Sequence, residues 1–376
     1  MWVTSLGLTD IRSYTQVDVE LSPGVTTFIG SNGQGKTNLV EAMNYVATLG
    51  SHRVATDAPL VRVGAEVGFI RCGIHSDDRD VLVELAIMPG KANKARVNRS
   101  PVPKVRDVLG LLRTVLFAPE DLALVKGDPS DRRTFLDELL VLRAPRFAGV
   151  RSDYDRVLKQ RNALLKSASI ARRSSEDAML RTLEVWDEQL IEHGAMLLAA
   201  RVELLAEIVD YARSEYGTVS GDHRGLLDLV YQSSLGSDVD VSLDLDGWAG
   251  ALREAIGARR KDELDRGMTL VGPHRDDVRI MLGEVPAKGY ASHGESWSIA
   301  LAMRLASFDL LRSDGVDPVL ILDDVFAELD RSRRERLAEQ VAAATQVLIT
   351  AAVDEDVPRQ LDGTEFTVRE GAVTAR

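Results

Sequence analysis

The eight residues from Gly30 to Thr37, Gly-Ser-Asn-Gly-Gln-Gly-Lys-Thr, constrain this chain more than any other segment. They fit the pattern G-x-x-x-x-G-K-[S/T] at every fixed position. Val25 to Ile29 before them reads as a short buried strand. Asn38 to Leu49 after them reads as a helix, with Leu39, Val40, Met43 and Val46 on one face. Strand, glycine-rich turn and helix are the context in which such a loop cradles phosphate. The glycines let backbone N–H groups curl around an anion, and the helix N-terminus adds its dipole. The pattern therefore assigns Gly30, Ser31, Asn32, Gly33, Gln34, Gly35, Lys36 and Thr37 to ATP, with Lys36 reaching the β- and γ-phosphates and Thr37 holding Mg2+.

A second motif, Leu320-Ile321-Leu322-Asp323-Asp324, is a buried strand ending in carboxylates. At a sheet edge beside the phosphate loop, Asp323 is expected to hold Mg2+ and Asp324 to orient or deprotonate a water. A third, Ser292-His293-Gly294-Glu295, leads into a helix from Ser296 to Leu311. Alone it is an ordinary helix cap or an anion site. The order matters more: phosphate loop, serine–glycine turn, carboxylate strand, then Ala327-Glu328-Leu329-Asp330. That is the order of ABC-type ATPases, in which the turn of one subunit caps the nucleotide bound by another.

The rest of the chain fits an α/β unit with an insertion. Val3 to Leu8, Tyr14 to Leu21, Val67 to Ile74 and Asp80 to Met88 read as strands, and Gly90 to Pro103 as a basic loop. Phe135 to Leu142, Val150 to Leu165 and Met179 to Ala212 have helical spacing. Leu183, Leu190, Leu197 and Leu204 recur every seven residues beside Trp186 and Ile191, an apolar seam for a partner helix of the same chain. Gly221 to Leu245 reads as loop. Met268 to Val271, Val278 to Leu282, Val319 to Leu322 and Gln346 to Thr350 read as strands, and Arg334 to Ala344 as a helix. The expected fold is a mixed sheet with flanking helices, its head formed by residues 1–115 and 261–376 around a mainly helical lobe at 116–260. The two head segments must meet in space for either to bury a core.

Composition narrows the class. With 376 residues, 45% hydrophobic and 28% charged, the chain is long enough for one large domain or two ordinary ones. No apolar run approaches a membrane span, and the start lacks the basic-then-apolar pattern of a secretory signal, so no membrane partner and a cytoplasmic location are expected. The single cysteine, Cys72, excludes an intrachain disulfide and a multi-cysteine zinc site. The formal net charge of −12 argues against nucleic acid on average. Two stretches run the other way: Lys91, Lys94, Arg96, Arg99, Lys104, Arg106 and Arg113 against Asp107, and nine lysines and arginines from Arg143 to Arg173 against Asp153 and Asp155. By themselves these are solvated faces.

Longer patterns carry a resemblance. Pro119-Glu120-Asp121, then Leu124-Val125-Lys126-Gly127-Asp128-Pro129, then Arg132-Arg133-x-Phe135-Leu136-Asp137, resemble the signature of the RecF recombination-repair family. Gly272-Pro273-His274-Arg275, Asp323-Asp324-x-x-Ala327-Glu328-Leu329-Asp330, Leu6-x-Leu8-x-x-Ile11-Arg12-Ser13-Tyr14 and Ser51-His52-Arg53 match it too. The resemblance implies an ABC-type head related to those of SMC proteins, with a helical second lobe in place of long coiled coils. It implies a homodimer formed on ATP, binding to single-stranded DNA and to single/double-strand junctions, and work with RecR and RecO to load RecA at gaps, in repair, replication restart and SOS induction. Gly30 to Thr37, Asp323 and Asp324 carry over as the nucleotide site, and Ser292, Gly294 and Glu295 as the part acting in trans. The basic stretches then become a track for DNA phosphates.

Departures from transporter ATPases set further expectations. Asp324 stands where they carry glutamate, one methylene longer, and a misplacement of about 1 Å can cost roughly a hundredfold in rate, so hydrolysis should be slow. Their switch histidine is replaced by Thr350-Ala351-Ala352, and no glutamine stands at the γ-phosphate-sensing position. Two alternatives remain: a transporter- or translation-type ABC ATPase, and a non-catalytic protein that binds ATP only to assemble.

Overall fold

The structure, a computed structural model, describes residues 1–170, 176–221, 227–236 and 241–376, with side chains outside 168–180. Fifteen strands occur among the described residues: β1 (Trp2–Ile11), β2 (Tyr14–Glu20), β3 (Gly24–Ile29), β4 (Gly68–Ser76), β5 (Arg79–Ile87), β6 (Lys94–Val97), β7 (Ser100–Pro101), β8 (Thr114–Phe117), β9 (Leu227–Gln232), β10 (Asp277–Leu282), β11 (Val285–Pro286), β12 (Val319–Asp323), β13 (Gln346–Ala351), β14 (Thr364–Arg369) and β15 (Ala372–Ala375). The helices are α1 (Lys36–Thr48), α2 (Leu122–Lys126), α3 (Pro129–Arg143), α4 (Arg146–Ile170), α5 (Glu176–Ser220), α6 (Leu245–Arg266), α7 (Ala287–Tyr290), α8 (His293–Ser313) and α9 (Arg331–Val341).

The chain divides into two units. The first comprises Met1–Val125, Tyr211–Leu226 and Ala291–Arg376. It holds two six-stranded sheets, one in the order β2-β1-β4-β5-β6-β7, the other β15-β14-β3-β13-β12-β8. In the second sheet β8, β12, β13, β3 and β14 run parallel. The central strands are buried from end to end, which is why Val319 to Leu322 and Val347 to Ile349 read as unbroken apolar runs. Helix α1 packs against strands of both sheets. Ten of its thirteen residues are buried, Lys36, Glu41 and Asn44 among them, so this enclosed helix carries polar groups that must find partners. Gln346 ties the layers together: its side chain accepts from the backbone N–H of Val3 and donates to the Val3 carbonyl. Cys72 is buried in β4, where burial pushes its thiol up to about 12.

The second unit comprises Lys126–Asp210 and Leu227–Tyr290. Leu190, Ile191, Leu197 and Leu198 of α5 pack with Tyr154 and Val157 of α4 and with Trp248, Leu252 and Ile256 of α6. Two leucines of the heptad seam, Leu190 and Leu197, thus find their partners within the chain, with Trp186 at the margin of the cluster. The unit runs on past residue 260, because β10 pairs along its length with β9 and Arg132 grips Asp277 at 2.7 Å and 3.0 Å.

Three local readings change. Met268 to Val271 is not a strand: its backbone is met by side chains instead of a ladder, with Asn162 accepting from Thr269 N, Glu263 from Leu270 N, and Arg275 donating to the Thr269 carbonyl. Gly90 to Pro103 contains a short hairpin, β6 with β7, hidden by its charge. Gly221 to Leu245 contains β9, whose alternation of Leu227, Leu229 and Tyr231 was obscured by polar flanks; residues 222–226 and 237–240 of that stretch lie outside the described residues.

In the second basic stretch one residue is structural and several are paired, while Arg146, Arg156, Lys159 and Lys166 are exposed. Arg161 is fully buried and donates to Asp187, Glu263 and Thr269. Arg143 pairs with Glu207, Arg151 with Asp137 and Arg156 with Asp153. Arg172 and Arg173 lie outside the described residues. In the first stretch, Lys91, Lys94, Arg96, Arg99 and Lys104 are exposed.

Candidate nucleotide site

The phosphate loop leaves the carboxyl end of β3 and turns into α1, at the edge where open α/β sheets place their ligands. Two glycines make the turn possible. Gly35, at the N-cap of α1, has φ 111, and a Cβ there would lie 2.8 Å from Tyr14 Oη. At Gly30 a Cβ would sit 2.2 Å from the Val368 carbonyl oxygen of β14. Tyr14 Oη donates to the Gly35 carbonyl at 3.1 Å, and Gln34 Oε1 accepts from Glu370 N at 2.7 Å. The loop is therefore held from below by β2 and from one side by the β14–β15 hairpin.

Strands β12 and β13 bring the other half of the chain to the loop. Thr37 Oγ1 donates to Asp323 Oδ1 at 3.0 Å, and Thr350 Oγ1 donates to the same oxygen at 2.6 Å. Thr350 also accepts from Asp324 N at 2.9 Å. Asp324 has φ 51, a left-handed conformation that aspartate tolerates; its carboxylate lies 3.9 Å from the buried Lys36 Nζ. Burial, with Asp324 nearby, pushes the Asp323 carboxyl up to about 6 against the hydrogen bonds from Thr350 and Thr37.

Such a carboxylate favours a cation beside it. Among the described residues, no group of three or more His, Cys, Asp or Glu side chains could hold a metal ion by itself. Thr37 and Asp323 offer two adjacent oxygen donors. That suits Mg2+, which takes one or two protein ligands and leaves its other positions to water and substrate phosphates.

Behind the loop, Glu41 of α1 is buried and accepts from Arg12 at 2.8 Å and 2.6 Å and from Ser51 Oγ at 2.5 Å. Burial works to raise its carboxyl, yet these bonds and Arg53 hold it below its ordinary value. Beside them sits His52, its Nε2 4.0 Å from Asp323 Oδ2. Burial lowers its pKa against the pull of Glu120, Glu41 and Asp121. Glu120 lies in the short turn Pro119–Asp121 after β8, the neighbour of β12, and it also raises Asp323. The Arg12-Ser13-Tyr14, Ser51-His52-Arg53 and Pro119-Glu120-Asp121 motifs thus converge on one region. Residue chemistry alone missed His52, Glu120 and Thr350 as members of it. The available signals were a lone hydroxyl ending an apolar strand, for Thr350, and tight motifs lacking any core-forming pattern for the other two.

Ser292, Gly294 and Glu295 form the N-terminus of α8. Ser292 Oγ accepts from Glu295 N, and Glu295 Oε2 accepts from Ser292 N at 2.7 Å, a reciprocal cap. The hydrogen bond from Ser292 lowers the Glu295 carboxyl. Trp297 Nε1 donates to His293 Nε2 at 3.1 Å. Arg333, at the start of α9, is the neighbour of Gly294.

A phosphate loop and a carboxylate-ended strand side by side on a mostly parallel sheet, joined to an antiparallel sheet and a helical unit, define an ABC-type ATPase head. The model of the RecF/RecN/SMC N terminal domain matches residues 2–367. Proteins named DNA replication and repair protein RecF are 59% identical in Streptomyces avermitilis, over 99% of both chains, and 60% identical in Kineococcus radiotolerans, over 96% of both. A solved structure described as the recombination mediator protein RecF with ATP in the RecFOR pathway aligns with a TM-score of 0.90 and 26% identity, covering 100% of this chain and 97% of that one. An Smc head domain from Pyrococcus furiosus shares the fold at a TM-score of 0.56 and 16% identity, covering 100% of this chain and 96% of that one. The chain belongs to the RecF family. No helix among the described residues is long and apolar enough to cross a membrane.

Proposed function

We propose that the chain is an ATP-gated DNA-binding protein of recombinational repair and replication restart. ATP binds at Gly30 to Thr37 with Mg2+ on Thr37 and Asp323, and joins two copies. Ser292, Gly294 and Glu295 of one copy cap the nucleotide held by the other. The dimer binds single-stranded DNA and single/double-strand junctions, works in the cytoplasm with RecR and RecO to load RecA, and so supports SOS induction. Hydrolysis, with Asp324 orienting the water and Lys36 stabilising the phosphates, is slow and releases the joint.

One observation carries the reading: Thr37, Asp323, Thr350, Asp324 and Lys36, drawn from distant parts of the chain, meet at one sheet edge beside the phosphate loop. The RecF relatives solved with ATP and its analogue support the nucleotide, and the full-length likeness to DNA replication and repair proteins supports the setting. The transporter-type alternative has no comparable support.

The trans arrangement is tested by mixing. Lys36→Ala and Ser292→Arg variants should each remain monomeric with ATP by mass photometry. Mixed together they should form dimers, because one of the two composite sites is then intact. Ser292→Arg alone dimerising like the parent chain would overturn the shared site. Asp324→Asn should dimerise on ATP yet hold its nucleotide longer; an unchanged dimer lifetime would favour an ATP-assembled protein without catalysis.

A further inference from the structure

His52, beside the nucleotide site, is a largely enclosed polar side chain that the nucleotide reading leaves unused. Neither Nδ1 nor Nε2 has a hydrogen-bond partner, although its side chain is only 11% exposed. Leaving a buried polar atom unpaired is costly, so native structures rarely do so without a use for the group.

The ring is not loosely held. Ser51 Oγ donates to Glu41 and accepts from the backbone N–H groups of Arg53 and Val54 at 3.0 Å and 3.2 Å. Arg53 donates to Asn38 Oδ1 at 3.0 Å. The residues flanking His52 are thereby pinned to the first turns of α1, the helix that carries Lys36 and Thr37. Asp323 presents Oδ1 to Thr37 and Thr350, which leaves Oδ2 facing the imidazole at 4.0 Å. That gap is too long for a direct hydrogen bond and matches two groups that share a water. Glu120 and Asp121, in the turn after β8, and Glu41 of α1 act on the ring's charge from nearby.

We infer that His52 is a positioning residue of the cation site: its imidazole hydrogen-bonds a water in the hydration shell of the divalent cation that Thr37 and Asp323 hold. The inference rests on reading those two residues as a Mg2+–ATP site. Mg2+ keeps several of its waters when bound, and a neutral imidazole offers one donor and one acceptor to receive them. His52 then links the position of the cation to the Arg12–Glu41–Arg53 cluster through its neighbours Ser51 and Arg53, both bound to Glu41.

The test separates cation affinity from nucleotide affinity. Full-length parent, His52→Ala and His52→Gln chains are titrated with MgCl2 at fixed fluorescent ATP analogue, and the analogue is titrated separately in EDTA. Loss of an outer-shell partner typically costs 10- to 100-fold in metal affinity. His52→Ala should therefore need about 10-fold more Mg2+ to reach half-saturation, with its affinity in EDTA unchanged, and His52→Gln should recover most of the loss. An unchanged Mg2+ midpoint, or an equal loss in EDTA, overturns the role of His52 alone. If His52→Ala fails to fold, His52→Asn and His52→Gln carry the same comparison. A parent chain that binds the analogue at no Mg2+ concentration overturns the underlying site and the role of His52 with it.

Discussion

Thr37 donates a 3.0 Å hydrogen bond to Asp323 across 286 positions of sequence. The bond joins the first turn of α1 to the end of β12, so the two donors that Mg2+ would use are already adjacent without it. Asp323 is costly in that state, since burial holds its carboxyl up near pH 6. The folded chain keeps a proton that the unfolded chain has released, so this carboxyl subtracts stability as pH rises from about 4 through 6. Asp323→Asn should therefore melt no lower than the parent at pH 7.5, and is expected to gain about 1–2 kcal/mol. It should lose most of the thermal shift given by MgATP. Differential scanning fluorimetry with and without MgATP reads both effects, and a variant that melts well below the parent without nucleotide contradicts the account.

Gly35→Ala tests the backbone of the loop. The position needs φ 111, and the new Cβ would press on Tyr14 Oη at 2.8 Å and Ser13 Oγ at 2.9 Å. Tyr14 is fully buried and cannot swing aside. Strain of this kind costs about 1–3 kcal/mol, and relieving it turns the loop N–H groups away from the phosphates. The expected result is a lower melting temperature together with loss of nucleotide binding in the fluorescence assay. Retained binding would show that the loop tolerates another path.

What the sequence displayed, and what it hid, follows from how local each feature is. The phosphate loop, α1 and the apolar strands β12 and β13 are written in contiguous residues, as turn chemistry or as unbroken burial. The site around Asp323 is different, because Thr350, His52 and Glu120 reach it from separate segments and only the parallel pairing of β8, β12, β13 and β3 brings them near. Charge misled where it was buried: Arg161 sits in a basic stretch of sequence but ends at the centre of an ion cluster. Met268 to Val271 misled for the opposite reason, being apolar enough for a strand while its backbone is satisfied by Asn162, Glu263 and Arg275.

Glu41→Ala should behave as a core mutation despite replacing a charged residue. Arg12 grips the carboxylate with two nitrogens, at 2.8 Å and 2.6 Å, and Ser51 and Arg53 share it. Removing one partner of a buried pair costs about 3–5 kcal/mol because the other charge is left uncompensated. Chemical denaturation should show that loss. Nucleotide affinity should fall as well, since residues 51–53 lose their anchor on α1. A destabilisation under 1 kcal/mol would mean that Arg12 finds water or another acceptor at no great cost.

The exposed and the buried arginines should part company in a DNA assay. Lys94, Arg96 and Arg99 are exposed around the β6–β7 hairpin. If the proposed DNA contacts include them, replacing all three by alanine weakens binding and flattens its salt dependence by roughly 0.9 per lost phosphate contact. Arg161→Met should instead lower stability by about 3–5 kcal/mol, leaving the buried Glu263 without its ion-pair partner and Asp187 with Arg260 alone. In protein that remains folded it should leave the salt slope unchanged. Fluorescence anisotropy at several salt concentrations distinguishes the two, and an unaltered slope in the triple variant removes the hairpin from the DNA surface.

A pH dependence should arise at Glu215 and Asp309, where α5 meets α8 in the first unit. Burial, and then Asp309, push the Glu215 carboxyl up to about 7; Asp309 is raised by burial as well. Glu215 Oε2 is buried without a hydrogen-bond partner. The pair holds a proton in the folded chain over a range in which the unfolded chain has released it, so stability is full below about pH 4.5 and declines as pH rises through 7. Discounted for the screened edge of the site, the loss between pH 6 and 8 should be about 1–2 kcal/mol. Glu215→Gln keeps the shape and the hydrogen bond to Asp309 without the charge. It should match the parent near pH 4.5, and exceed its melting temperature already at pH 6 and by more at pH 8, so that the two melting curves diverge as pH rises. Curves that stay parallel from pH 6 to 8 would place the shared proton elsewhere.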